Sequence, residues 1–314
     1  MIAKDNFPKP FPIVSVVGPT ATGKTAVAIK LAKRIKGEII NLDSVQIYRG
    51  LDIGSAKPTR QELAEVPHHL IDIRDPWDVM DAPSFARIAT MAVKRVMARG
   101  RVPVLVGGTG FYLKALEEGL STLPGTMPAL RDQVKEMIRL KGHEEIHKTL
   151  QTLDPQRASQ IHPRDTYRLA RALEVLLSGG GASYQELCQR HRWRPLEEGM
   201  YIFKIGLIFS RHKLYSRIDK RVDMMLEQGF LEEVIQLLKK GLSPALKPLQ
   251  SIGYRHIISY LLGEKELSQA IFEMKRDTRR YAKRQITWFR KDPSIKWFNP
   301  EQLMNASDIW KAVN

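Results

Sequence analysis

The sequence predicts an α/β fold: a P-loop parallel-sheet core wrapped by helices, carrying an all-helical insertion domain. Three observations carry this. The octapeptide GPTATGKT at 18–25 fits G-x-x-x-x-G-K-[ST] and sits between an apolar run and a helix-forming one. Strand and helix patterns alternate through the first third of the chain, which implies parallel strands joined by crossover helices. From about residue 120 the strand signal lapses into helix-period segments and returns only at 201–209.

Candidate strands lie at 12–17, 38–42, 69–73 and 102–106, each a short apolar run bounded by turn residues. Helical periodicity covers 25–36 after the glycine loop and 84–99. LPGTMP at 123–128 is a breaker-rich linker, followed by helical stretches at 129–141, 144–153 and 166–177. SGGGAS at 178–183 is a flexible break. The chain then returns with the 201–209 strand and long helices, and closes with a strand-like IKWF at 295–298 and a C-terminal helix. The expected division is a catalytic core of 1–120 and 200–314, interrupted by a helical insertion at 121–199. Ligand should lie at the carboxyl ends of the strands, where the 18–25 loop, Asp43-Ser44 and the glycine turn at 107–110 converge.

Composition narrows the function. With 50 Lys+Arg against 34 Asp+Glu, the net charge is +16 and the pI near 9.9, a field suited to a polyanionic partner. No apolar run approaches the ~20 residues of a membrane span, and the N-terminus lacks the features of a secretory signal. The single cysteine, Cys188, cannot form an internal disulfide, so a cytoplasmic setting is expected.

The chemistry-bearing residues fall into clusters. In the loop Gly18, Pro19, Thr20, Ala21, Thr22, Gly23, Lys24, Thr25, backbone N–H groups and a helix N-terminus face a phosphate chain. Lys24 supplies a point charge and the Thr25 hydroxyl is the candidate magnesium ligand. Asp43 has three readings: a metal ligand through water, a proton acceptor, or a cap shared with Ser44. Gln46 and Tyr48 suit a base edge or a stacking role. Thr109 brings a hydroxyl where phosphate-transfer sites often carry an acid, so it reads as a substrate contact or a cap. Arg217 and Arg221, near Arg211-His212, are i,i+4 on one helix face. They suit a diphosphate or RNA phosphate, or form a ladder with Asp219 and Asp223. The run 275–291 holds eight Lys/Arg against one acid, Asp277, with Tyr281, Trp288 and Phe289 interleaved, as RNA binding requires. A second basic patch is YRLAR at 167–171. His143-Glu144-Glu145-Ile146-His147 fits H-E-x-x-H, but its helix is short and charged with no third-ligand motif downstream, so zinc is not expected.

Taken together, GPTATGKT, DSVQIYRGLDIGSAKPT, PHHLIDI, VGGTGFYLKAL, IHPRDTYRLARALE, SIGYRH and KRQITWFR strongly resemble the bacterial tRNA dimethylallyltransferases, or tRNA isopentenyltransferases, in family order. The resemblance implies transfer of a dimethylallyl group from dimethylallyl diphosphate to N6 of the adenosine 3′ of the anticodon, in tRNAs reading codons that begin with U. It implies a P-loop holding diphosphate with Mg²⁺, Asp43 as general base, Thr109 positioning the substrate and Arg217 near the leaving group, with Arg221 as the alternative register. Implied tRNA contacts are Asp43, Ser44, Val45 and Gln46; Thr109 and Arg131; Tyr167, Arg168, Leu169, Ala170 and Arg171; Leu249, Gln250, Ser251, Ile252, Gly253 and Tyr254; and Lys283, Arg284, Gln285, Trp288 and Arg290. A monomer is expected. Ser251 stands where many bacterial members carry cysteine, the zinc finger of eukaryotic relatives is absent, and the 178–183 break is unusually glycine-rich. The rival readings are a P-loop kinase, a prenyltransferase of free adenine nucleotides, and a nucleotide-gated RNA-binding switch.

Overall fold

A computed structural model describes residues 13–121, 128–180, 182–190, 192–193, 196 and 200–303. The chain divides into two compact units, Met1–Glu117 with Leu196–Asn314, and Glu118–Pro195. In chain order the strands are β1 (Ile13–Val17), β2 (Gly37–Asn41), β3 (His68–His69), β4 (Val102–Gly107), β5 (Leu120–Ser121), β6 (Arg192–Trp193), β7 (Ile202–Leu207) and β8 (Ile295–Phe298).

In the first unit six strands form one parallel sheet in the order β3-β2-β4-β1-β7-β8. Every residue of β1, β2 and β4 is buried, because helices cover both faces and leave no wet side to demand alternation. The helix Lys24–Ile35 contributes Val27, Ala28, Leu31 and Ala32 to the core beside Val14, Val16 and Val104. Two glycines are fixed by close approach: a Cβ on Gly18 would lie 2.4 Å from Leu207 O, and one on Gly107 2.4 Å from Leu42 O.

Strand 69–73 of the sequence reading shrinks to His68–His69. Leu70 (φ 64°) and Asp72 (φ 54°) turn the backbone off the ladder, and Ile73 N donates instead to Ile47 O. An apolar run alone does not report such left-handed kinks.

Among its described residues the second unit is helical apart from a two-residue antiparallel pair, β5 with β6. That pair is too short to leave an alternating pattern. Helices Pro128–Leu153, Pro155–Ser159, Thr166–Ser178 and Tyr184–Arg190 supply its core, with Val134, Ile146, Leu150, Leu169 and Leu173 fully buried. Gly142 (φ 76°, ψ 164°) breaks the first of these near the boundary read from the sequence. Asp154 ties three segments: Oδ1 accepts from Arg157 N at 2.8 Å and Oδ2 from Tyr184 N at 2.9 Å. The 123–127 part of the predicted linker, residue 181 of the glycine break and the predicted C-terminal helix beyond 303 lie outside the described residues.

Candidate active site

A cavity of about 420 Å³ opens where β1, β2 and β4 end, entirely within the first unit. Its walls are the glycine loop, the turns after β2 and β4, and faces of the helices Arg211–Glu227 and Leu267–Phe289. Gly23 caps the helix Lys24–Ile35 in the left-handed conformation (φ 81°) without a side-chain bond, so the first-turn amides rely on a ligand or solvent. Thr22 Oγ1 and Lys24 Nζ both donate to Pro19 O at 2.8 Å, which tightens the loop on itself. Desolvation pulls the Lys24 ammonium down to about 7; Arg221 adds to the fall and the Asp43 carboxylate opposes it.

The two arginines separate. Arg217 Nε donates to Ala21 O at 2.8 Å and its guanidinium lies 5.0 Å from the Phe209 ring, bracing the loop from behind. Arg221 lines the cavity and Nη1 donates to Thr20 Oγ1 at 3.1 Å. The ladder with Asp219 and Asp223 does not form. Asp219 takes Arg279 at 2.6 and 2.8 Å, and Asp223 takes Lys275 at 2.6 Å. Of the pair, Arg221 lines the cavity and Arg217 does not.

Asp43 also lines the cavity. Its Oδ1 accepts from Val45 N at 2.8 Å and Gln46 N at 3.3 Å, so one oxygen closes a turn; no helix starts there to be capped. The turn does not need Oδ2. Thr109 Oγ1 accepts from Ser44 N at 3.2 Å, joining the turns after β2 and β4. Tyr281 stands over both: its hydroxyl bonds to Gln285 and Thr109, and burial, then Asp43, pushes its pKa up to about 12. Tyr281 was legible only as one aromatic in a basic run; its i,i+4 spacing to Gln285 is the signal that puts both on the loop-facing side. Another cavity residue is His68, whose Nδ1 lies 2.8 Å from Val66 O while buried Nε2 has no hydrogen-bond partner.

An IPP transferase family model spans residues 46–292. The chain belongs to the IPP transferase family. It is 47% identical over 291 residues (92% of this chain, 83% of the relative) to a tRNA dimethylallyltransferase of Syntrophobacter fumaroxidans. It is 44% identical over 285 residues to that of Geobacter sulfurreducens, covering 91% of each. The solved tRNA isopentenylpyrophosphate transferase of Bacillus halodurans superposes with TM-score 0.68 at 37% identity, covering 96% of this chain and 95% of that one. A solved eukaryotic dimethylallyltransferase acting on tRNA gives 0.76 at 26% identity, covering 96% and 78%. The enzyme class expected from the motifs is the one these relatives carry by name, and the kinase and free-nucleotide readings fall away.

In this IPP transferase the remaining expected contacts divide by burial. Of the eight cations in 275–291, Lys275, Arg276, Arg279 and Arg280 are engaged with Asp223, Asp277, Asp219 and Asp277. Lys283, Arg284, Arg290 and Lys291 are exposed, and Arg284 also reaches the cavity. Trp288 is 39% exposed, edge-on to Phe111 and so close over Gly110 that a Cβ there would lie 2.2 Å from its ring. Gln250, Ser251 and Ile252 line the cavity, with Ser251 Oγ donating to Pro248 O at 2.6 Å.

Other expected contacts have buried side chains. Gln285 is buried and engaged with backbone: Oε1 accepts from Thr20 N at 3.0 Å and Nε2 donates to Gly108 O at 2.9 Å, stitching two turns together. Leu249 and Tyr254 are fully buried, and Gly253 (φ 99°) is held between Phe230 and Met274. Tyr48 is core, its hydroxyl accepting from Met80 N at 3.0 Å. In the second unit Leu169 is fully buried and Ala170 packs on the same core. Tyr167 is 82% exposed, Arg168 pairs with Asp165 at 3.3 Å, and Glu174 lies 3.3 Å from Arg171 and 3.8 Å from Arg131. His147 Nε2 lies 3.2 Å from Ala158 O and 3.1 Å from Ile161 O, so the H-E-x-x-H helix uses it in packing. Among the described residues no group of three or more His, Cys, Asp and Glu is placed to hold a metal. Thr25, the candidate magnesium ligand, lines the cavity, and its hydroxyl is an oxygen donor of the type suited to Mg²⁺.

Proposed function

We propose that the cavity binds dimethylallyl diphosphate on the glycine loop and an extruded tRNA adenosine beside Asp43. The enzyme transfers the dimethylallyl group to N6 of the adenosine 3′ of the anticodon in tRNAs reading UNN codons, and releases diphosphate. The observation that carries this reading is the meeting of Lys24, Arg221 and Asp43 in one cavity whose rim bears Arg284.

The N6 lone pair attacks the allylic carbon as the bond to the diphosphate oxygen breaks. Asp43 Oδ2, not needed by its turn, takes the proton lost from N6. Loop amides, Lys24 and Arg221 gather the charge on the departing diphosphate. An exocyclic adenine amine is a weak nucleophile, so charge stabilisation on the leaving group carries much of the rate and the base adds roughly 10²–10⁴-fold. Thr109, tied to Ser44 and Tyr281, keeps the base side of the cavity in register, and Arg217 holds Ala21 so that the loop keeps its shape. The Thr25 hydroxyl would hold Mg²⁺, which when bound would neutralise charge on the diphosphate. Lys283, Arg284, Trp288, Arg290, Arg131, Tyr167, Arg168 and Arg171 supply the cations and aromatic faces for the RNA. Extruding the base costs a few kcal/mol that these contacts offset. The enzyme works as a monomer in the cytoplasm, where tRNA resides.

The test is tRNA turnover by Asp43→Ala with tRNA binding followed in parallel. Turnover should fall at least ~100-fold while affinity stays within several-fold. Near-normal turnover would remove Asp43 from the reaction.

A further inference from the structure

The first turn of the helix Phe230–Lys239 carries Glu233, a residue with no place in the chemistry above. Its carboxylate collects four donors. Oε2 accepts from Asp52 N at 3.1 Å and Ile53 N at 2.6 Å; Oε1 accepts from Gly54 N at 3.2 Å and from the Tyr254 hydroxyl at 2.7 Å. Three successive backbone amides aimed at one side chain make a nest whose shape the carboxylate dictates. The seat beneath is equally firm. A Cβ on Gly54 would lie 2.2 Å from the Phe230 ring and 2.6 Å from the Tyr254 ring, and those rings meet edge-on at 5.1 Å. Ala56 is held in the left-handed region (φ 50°), a strained conformation for a residue with a Cβ.

What this turn presents is a pair of carbonyls. Gln46 Nε2 donates to Ser55 O at 3.1 Å and to Ala56 O at 3.0 Å, so both amide hydrogens are engaged. The amide is planar and carries its acceptor on the other branch, so fixing the nitrogen fixes the oxygen. Gln46, Gly54, Ser55 and Ala56 all line the cavity beside Asp43.

We propose that Glu233 is a positioning residue for acceptor recognition: by holding the 52–56 turn it locks Gln46 with its amide oxygen toward the acceptor nucleotide, which must offer an N–H there. The inference rests on the proposed tRNA-acceptor reading of the cavity. Reversing the Gln46 amide would set two hydrogens against the nucleotide and an oxygen against two carbonyls. The Glu233 nest makes that reversal costly by refusing to let the carbonyls turn away.

A double-mutant cycle on the full-length enzyme tests this with tRNA and dimethylallyl diphosphate. Gln46→Ala should raise KM for tRNA about tenfold, the loss of one hydrogen bond to the acceptor, with KM for the diphosphate within about twofold. Glu233→Gln is isosteric but turns one nest oxygen into a donor facing donors. It should raise KM for tRNA about fivefold and leave the diphosphate KM alone. The double variant should match Gln46→Ala alone, because Glu233 acts through Gln46; independent sites would add. Additive losses, or losses in the diphosphate KM, overturn the proposal. Should Glu233→Gln fail to fold, Tyr254→Phe, which removes only the hydroxyl donor to Glu233, takes its place in the cycle. A wild-type enzyme that does not modify tRNA would sink the functional reading itself, whereas an active wild type with an additive cycle sinks only this inference.

Discussion

Lys24 and Arg221 show how a few atoms set the behaviour of the site. A lysine held near neutrality before its ligand arrives gains a proton as the polyanion binds, because the anion favours the ammonium and raises the pKa from about 7. Affinity for the diphosphate should therefore be full below about pH 7 and decline above it. Calorimetry at pH 8 in buffers of different ionisation heat should show proton uptake, and Lys24→Arg should abolish it. No uptake in the parent enzyme would contradict the assignment. The arginines separate just as cleanly. Arg221→Ala removes a cation from the cavity and should raise KM for dimethylallyl diphosphate about 10–100-fold, from a charged hydrogen bond of ~1.5–3 kcal/mol. Arg217→Ala frees Ala21 O and should lower thermal stability as well. Equal effects of the two on stability would mean that both are structural.

At the scale of elements, the helix Leu267–Phe289 does two jobs along its length. Its cations from Lys275 to Arg280 tie to Asp219, Asp223 and Asp277; its last two turns expose Lys283, Arg284 and Trp288. Replacing Lys283, Arg284 and Arg290 with Ala should weaken tRNA binding and flatten its salt dependence by about 0.7 in log–log slope per lost phosphate contact. Replacing Lys275 and Arg276 should leave that slope nearly unchanged. An identical slope change in both sets would return the whole helix to the RNA surface. Gln285→Ala should destabilise the protein by about 1–3 kcal/mol in denaturant melts, since it strands Thr20 N and Gly108 O. The sequence displayed this helix as one basic tract, because composition counts charges and does not show which acids on a neighbouring helix will claim them.

Across the whole molecule, legibility followed locality. GPTATGKT, the strand–turn–helix after β4 and the helical insertion are set by short-range spacing, and the observed elements fall within a few residues of the expected ones. What the sequence did not show lies where partners are distant in the chain. Gln285 is linked to Thr20 across 265 positions, and Tyr254, Leu249 and Tyr48 turned out to be core inside motifs that carry chemistry. A motif marks a neighbourhood; burial decides which of its members meet a substrate and which hold the others still. The kinase, the free-nucleotide enzyme and the donor–acceptor transfer also differ at this scale, because each needs a different second substrate. Labelled dimethylallyl diphosphate offered with tRNA, with AMP or with no acceptor, while ATP hydrolysis is followed alongside, separates them in one experiment. The account predicts label on N6 of the adenosine 3′ of the anticodon, one diphosphate released per transfer, and no ATP turnover. Unmodified tRNA with brisk ATP hydrolysis, or label on AMP instead, would contradict it.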